Sequence, residues 1–230
     1  MAPDGLLDPR RVMSRLNDVL PPDRVVFTDG GHFMQWPLTY LRTQGPDSHI
    51  TVGTQFQSIG LGLPSAAGVI TAAGDRLPVL VSGDGGGLMG IADAETFVRT
   101  ARRGVVVFLN DSGYGAEVHQ YARRGVSDAA MMIPDIDFAG IFQALGARSA
   151  TVTNMRDLAD FEQWAREGAD GVYVLDCRIT GDLRADWIIA ALDEARRHHP
   201  HVEEMLGFQA PSASTANPDP ATVRDAVLTD

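Results

Sequence analysis

The chain has 230 residues, 44% of them hydrophobic, enough to bury the core of one large α/β domain and too many for a disordered chain. A formal net charge of −11 argues against nucleic acid and against an anionic membrane surface as partners. All 19 basic residues are arginine, so no lysine is present for a Schiff base or a P-loop, and a single cysteine, Cys177, excludes an internal disulfide and a cysteine-rich metal site.

The segment from Met1 to Gly5 has neither a basic nor an apolar leader, and no apolar run is long enough to span a bilayer. A soluble, cytoplasmic protein is therefore expected. Asp8 and Pro9 read as the N-cap and first turn of a helix whose apolar face is Val12, Leu16, Val19 and Leu20, ended by Pro21-Pro22. Val25-Val26-Phe27 predicts a buried strand that stops at Thr28-Asp29-Gly30-Gly31, and residues 33–41 predict a helix. Residues 60–73 are small and apolar, as in a closely packed helix. Val79-Leu80-Val81 predicts a strand running into Ser82-Gly83-Asp84-Gly85-Gly86-Gly87, with a helix over 92–103. Val105 to Leu109 is the most strand-like run, ending at Asn110-Asp111-Ser112-Gly113, after which a short helix starts. A helix at 136–145, a strand at 149–152, a helix at 157–166, a strand at 172–175 and a helix at 185–197 complete the alternation. Cys177 falls beside the last apolar run and reads as a buried strand residue, not a nucleophile.

Apolar strands separated by helices predict a doubly wound, mostly parallel α/β sheet covered on both faces. One domain is expected over residues 1–205, and the Pro-, Ser- and Ala-rich residues 206–230 read as a flexible tail.

In such sheets ligands bind beyond the carboxyl ends of the strands. Three strands here end in glycine-rich or polar turns, which suit an anion such as a diphosphate. Asp84 and Asp111 each follow a strand, 111 − 84 = 27 positions apart, an interval that fits one turn, one helix and one strand. Two adjacent parallel strands can thus bring both carboxylates to one Mg²⁺, which prefers oxygen ligands. The competing reading makes both residues helix N-caps and the glycines plain tight turns.

The run Gly83-Asp84-Gly85 followed by Asn110-Asp111 resembles the signature of thiamine-diphosphate enzymes, closest to the acetolactate synthase and pyruvate decarboxylase group. The resemblance implies the family's pyrophosphate-binding (PP) module, with thiamine diphosphate and Mg²⁺ as cofactors. It implies Asp84, Asp111 and the Gly113 carbonyl as metal ligands, with aspartate standing at 111 where the family has asparagine. Within Gly53-Thr54-Gln55-Phe56-Gln57-Ser58-Ile59-Gly60, Ser58 lies under the cofactor and Ile59 matches the residue that bends it into a V; a plain core isoleucine is the competing reading. Gly31 and His32 match the segment closing over the diphosphate, although His32 equally suits a turn. Gly83, Gly85, Gly86, Tyr114, Gly115 and Ala116 complete the implied cofactor contacts. Glu117 matches a catalytic glutamate of the decarboxylase branch, and His119 and Gln120 are further pocket candidates. An exposed helix face is the competing reading for Ala116, Glu117, His119 and Gln120.

In the family, a glutamate on a second, pyrimidine-binding (Pyr) domain activates the cofactor. About twenty residues precede the first strand here, so that domain is expected on a partner subunit, in an α₂β₂ heteromer or with a homodimer when the chain is alone. The expected function is decarboxylation of a 2-keto acid or carboligation of the resulting acyl anion. The alternatives are a regulatory module that has lost the cofactor, motivated by Asp111, or an excised domain of a longer enzyme. A nicotinamide or flavin domain is disfavoured because the glycines lack the G-x-G-x-x-G spacing.

Overall fold

The computed structural model describes residues 1–53, 56–122 and 125–198. Helix α1 (Pro9–Val19) leads into strand β1 (Arg24–Thr28), helix α2 (Gln35–Tyr40) and the short strand β2 (His49–Thr51). Next come α3 (Gly62–Ala73), β3 (Leu77–Gly83), α4 (Asp84–Met89), α5 (Ala94–Thr100) and β4 (Arg103–Asn110). The remainder is α6 (Gly115–Gln120), α7 (Phe138–Ala144), β5 (Arg148–Val152), α8 (Ala159–Arg166), β6 (Gly171–Arg178) and α9 (Asp186–His198).

The strands form one sheet in the order β2-β1-β3-β4-β6-β5, and every pairing is parallel. All carboxyl ends therefore lie on one edge, as the alternating pattern predicts. Successive strand residues point to opposite faces. Val105, Val107 and Leu109 pack into one cluster with Val12, Met13 and Leu16 of α1 and Phe161 and Trp164 of α8. Val106 and Phe108 pack into the other, with Leu63 of α3, Phe97 of α5, and Phe138 and Phe142 of α7. Each fully buried side chain of this size contributes about 1.5–3 kcal/mol. Cys177 is buried in the first cluster, as expected of a strand residue. At α1 the Asp8 carboxylate accepts from the Arg10 N–H at 2.9 Å and Pro9 opens the helix, matching the cap expected there.

Two local expectations are corrected, and one strand has no counterpart among them. The glycine run is not a turn: Asp84 to Met89 is helical, and its glycines are set by close packing. A Cβ on Gly85 would lie 2.5 Å from Cε1 of Tyr114, and one on Gly87 would lie 2.4 Å from Cε1 of Phe108. The helix expected over 92–103 stops at Thr100, because Ala101 is extended and Arg103 already pairs with Gly171 in the sheet. The edge strand β2 carries no apolar pattern, and it forms through its register with Val26, Phe27 and Thr28. The tail expected at 206–230 lies outside the described residues, as do Thr54 and Gln55.

Candidate functional site

Strands β3 and β4 lie side by side with Ser82 opposite Phe108 and Gly83 opposite Leu109. This register carries Asp84 and Asp111 to the same point of the sheet edge. Asp84 is the first residue of α4, and Gly83 is its N-cap without a side-chain bond. Asp111 lies in the loop before α6, whose N-cap is Tyr114. Neither aspartate is an N-cap, so that reading falls.

The two carboxyls perturb each other. Burial pushes the Asp84 carboxyl up to about 6, against the pull of the Gly85 and Gly113 N–H groups. Burial, and then the negative charge of Asp84, push Asp111 well above the ordinary carboxylate range. Oδ2 of Asp84 is buried with no hydrogen-bond partner among the described residues. A buried unpartnered carboxylate oxygen facing a second carboxyl costs several kcal/mol unless protonated or met by a cation. Among the described residues no group of three or more His, Cys, Asp or Glu is placed to hold a metal. Two carboxylates with room for carbonyl, phosphate and water oxygens suit a hard divalent cation better than zinc.

A cavity opens over this pair, lined by residues from the ends of β1, β3 and β4 and from the starts of α4 and α6. Gly31, His32, Ile59, Gly83, Gly85, Gly86, Gly113, Tyr114, Gly115, Ala116 and Glu117, all expected from sequence, line it together with Asp84 and Asp111. The N-cap residues of α4 and α6, Gly83 and Tyr114, make no side-chain hydrogen bond to the helix they open. His32 is buried, and its Nε2 accepts from the Ala185 N–H at 2.8 Å, which makes Nδ1 the donor nitrogen of the neutral ring. A Cβ on Gly115 would lie 2.9 Å from Oδ2 of Asp111 and 3.4 Å from Nδ1 of His32, so both side chains lie against Gly115.

Three expected residues do not line the cavity. His119 is buried, its ring centroid 4.4 Å from that of His32. Gln120 ends α6. Ser58 turns its carbonyl toward Gly30 and Gly53, and its N–H donates to the Gly53 carbonyl at 3.0 Å.

Sequence reasoning missed Asp29. It is buried, and its Oδ1 accepts from the N–H groups of Gly30 at 2.7 Å, Gly60 at 3.0 Å and Leu61 at 3.3 Å. It therefore ties the segment carrying Ile59 to the end of β1. Its signal was an aspartate directly after an apolar strand and before two glycines, the same pattern that drew attention to Asp84. Phe33 and Leu109 also line the cavity, and nothing in their sequence context marks them.

Comparison with known proteins bears on the family and the fold. A sulfoacetaldehyde acetyltransferase of Castellaniella defragrans is 31% identical over 156 residues, covering 66% of this chain and 25% of that protein. An acetolactate synthase of Bacillus subtilis (strain 168) is 28% identical over 170 residues, covering 73% and 29%. The solved thiamine diphosphate-dependent 4-hydroxybenzoylformate decarboxylase of Rhodococcus jostii RHA1 shares the fold, with a TM-score of 0.68 at 21% identity over 78% of this chain and 34% of that one. The chain thus spans about a quarter to a third of the length of these relatives. The family described as "Thiamine pyrophosphate enzyme, C-terminal TPP binding domain" matches residues 29–177, more than half of the chain and the whole of the site, and the chain belongs to that family.

Proposed function

We propose that this chain holds the diphosphate end of thiamine diphosphate through Mg²⁺, and that it forms the PP part of an enzyme acting on 2-keto acids by decarboxylation or acyl-anion carboligation. The observation that carries the reading is Asp84, whose buried Oδ2 has no hydrogen-bond partner among the described residues, beside Asp111 in the lining of a glycine-rich cavity. Asp84, Asp111 and the Gly113 carbonyl would hold the metal. First-turn N–H groups of α4 and α6 and Nδ1 of His32 would bind phosphate oxygens. Ile59 would support the cofactor from below, and Glu117, half-buried at the cavity, would give and take a proton on the substrate side. When bound, the cofactor supplies the electron sink for carbanion chemistry.

The activating glutamate is expected from a Pyr domain on a partner subunit, giving an α₂β₂ assembly, or a homodimer when this chain is alone. Exposed apolar side chains beside the cavity support such a contact. Met89 is 56% exposed and Met132 48%. Met89 packs at Gly60 next to Ile59, and Met132 at Gly113.

Calorimetry tests the reading. Asp84→Ala should abolish Mg²⁺-dependent binding of thiamine diphosphate while leaving the far-UV circular dichroism unchanged; unaltered binding would remove Asp84 from the metal site. The chain alone should not exchange the cofactor's C2 proton faster than free solution does, and adding a Pyr subunit should restore exchange. If Mg²⁺ with thiamine diphosphate fails to raise the melting temperature at all, the module has lost its cofactor and the regulatory reading takes over.

A further inference from the structure

We propose that Asp176 is a positioning residue that sets the metal-binding geometry of Asp111 through Asn110, an inference that rests on Asp84 and Asp111 being the metal's carboxylates. Asp176 is fully buried near the end of β6. Its Oδ2 accepts from the Phe138 N–H at 3.2 Å and from Nη2 of Arg178 at 2.9 Å. Arg178 is itself anchored, donating from Nη2 to the Ile136 carbonyl at 2.9 Å and from Nη1 to Asp135. The carboxylate therefore cannot turn, and its Oδ1 accepts from Nδ2 of Asn110 at 3.1 Å.

That bond fixes which way the Asn110 amide faces. A flipped amide would oppose its oxygen to the carboxylate and its NH₂ to a backbone N–H. In the fixed orientation Oδ1 of Asn110 accepts from the Ser112 N–H at 3.2 Å, so the side chain of 110 and the backbone of 112 bracket Asp111. Ser112 sits at φ +58, a left-handed conformation that is unfavourable for a non-glycine residue unless its surroundings hold it. The loop is pegged on either side by the Ile179 N–H donating to the Asn110 carbonyl at 3.0 Å and the Ile133 N–H donating to the Ser112 carbonyl at 2.9 Å. The Asn110–Ser112 bond is the contact that spans Asp111 itself. Loosening it lets Ser112 relax and turns Asp111 away from Asp84. Such outer contacts typically govern metal affinity by about 10–100-fold.

The test is a reciprocal swap, read as Mn²⁺ affinity in the presence of thiamine diphosphate by electron paramagnetic resonance on the full chain. Asp176→Asn and Asn110→Asp should each weaken Mn²⁺ binding by about tenfold or more, because each opposes two like groups across the bond. In the double variant the amide now at position 176 donates to the carboxylate now at position 110, so the bond is restored with its direction reversed. That carboxylate still accepts from the Ser112 N–H, and the amide oxygen at position 176 still accepts from Phe138 and Arg178. The long 3.5 Å contact from Asn110 to the Ile136 carbonyl is lost, and the bond from Arg178 to position 176 is kept without its opposite charge. The swap should recover most of the affinity. Leu16→Ala, in the core on the opposite face of the sheet, serves as a destabilised control and should leave Mn²⁺ affinity unchanged. Wild-type affinity in Asp176→Asn, or a swap no better than the single variants, would overturn the positioning role. A wild-type chain whose Mn²⁺ binding is insensitive to Asp84→Ala would instead overturn the metal site itself.

Discussion

Two buried aspartates on one sheet edge, at the ends of β3 and β6, have opposite surroundings. Asp176 is met by a backbone N–H, an amide and a guanidinium, so its oxygens are filled by the protein, although burial still pushes its carboxyl up to about 6. Asp84 keeps one buried oxygen unpartnered and faces a second carboxyl that is also forced upward in pKa. A buried charge with all its partners present holds structure together, whereas one left short of partners beside a like charge is completed only by a proton or a cation. The difference between the two separates scaffold from site.

The same substitution should therefore act with opposite sign at the two places. Asp176→Asn removes a charge from Arg178 and turns a donor onto donors, and should destabilise the fold by roughly 2–3 kcal/mol in urea denaturation. Asp84→Asn relieves an uncompensated buried carboxylate, and should stabilise the metal-free chain at pH 7.5 by on the order of 1–3 kcal/mol. Equal signs would erase the distinction.

The pH dependence follows from the Asp84 value. Its folded pKa of about 6 lies above the ordinary carboxylate value, so the stability from its protonated form is fully present below about pH 4 and is lost as pH rises through 6. Asp111 and Asp176, also raised by burial, add to the same trend. Metal-free chain should melt higher at pH 5 than at pH 7.5, and Asp84→Asn should flatten that slope. Mg²⁺ binding with thiamine diphosphate should release protons near pH 6 and tighten toward pH 8, which calorimetry in buffers of different ionisation enthalpy would detect.

A smaller effect is expected from Gly85→Ala. Its Cβ would meet the Tyr114 ring at 2.5 Å, so Tyr114 must move into the cavity. A destabilisation of about 1–2 kcal/mol is expected, with a larger relative loss of thiamine diphosphate binding. If binding and stability fall in step, the glycine serves packing alone. The smallest change should come from Asp111→Asn, which keeps an oxygen ligand and removes one charge beside the diphosphate. Thiamine diphosphate should bind at least as well as to wild type, and markedly weaker binding would show that the charge itself is needed.

The sequence by itself determined much of this protein. Uninterrupted apolar runs such as Val105 to Leu109 can only be buried on both faces, which fixes a parallel sheet between helices. The Asp8-Pro9 start of α1 and the interval between Asp84 and Asp111 are local patterns, and parallel pairing of neighbouring strands turns that interval into proximity. Other features were decided only by tertiary structure. The helical state of Asp84 to Met89 opposes glycine's own preference, and it forms where Tyr114 and Phe108 press too close for any side chain. Strand β2 exists because β1 offers it an edge. Asp29, Asp176 and the contact of His32 with His119 join residues 31, 66 and 87 positions apart. No local periodicity encodes such pairs, because their partners are chosen by the register and curvature of the sheet and not by neighbours in the chain.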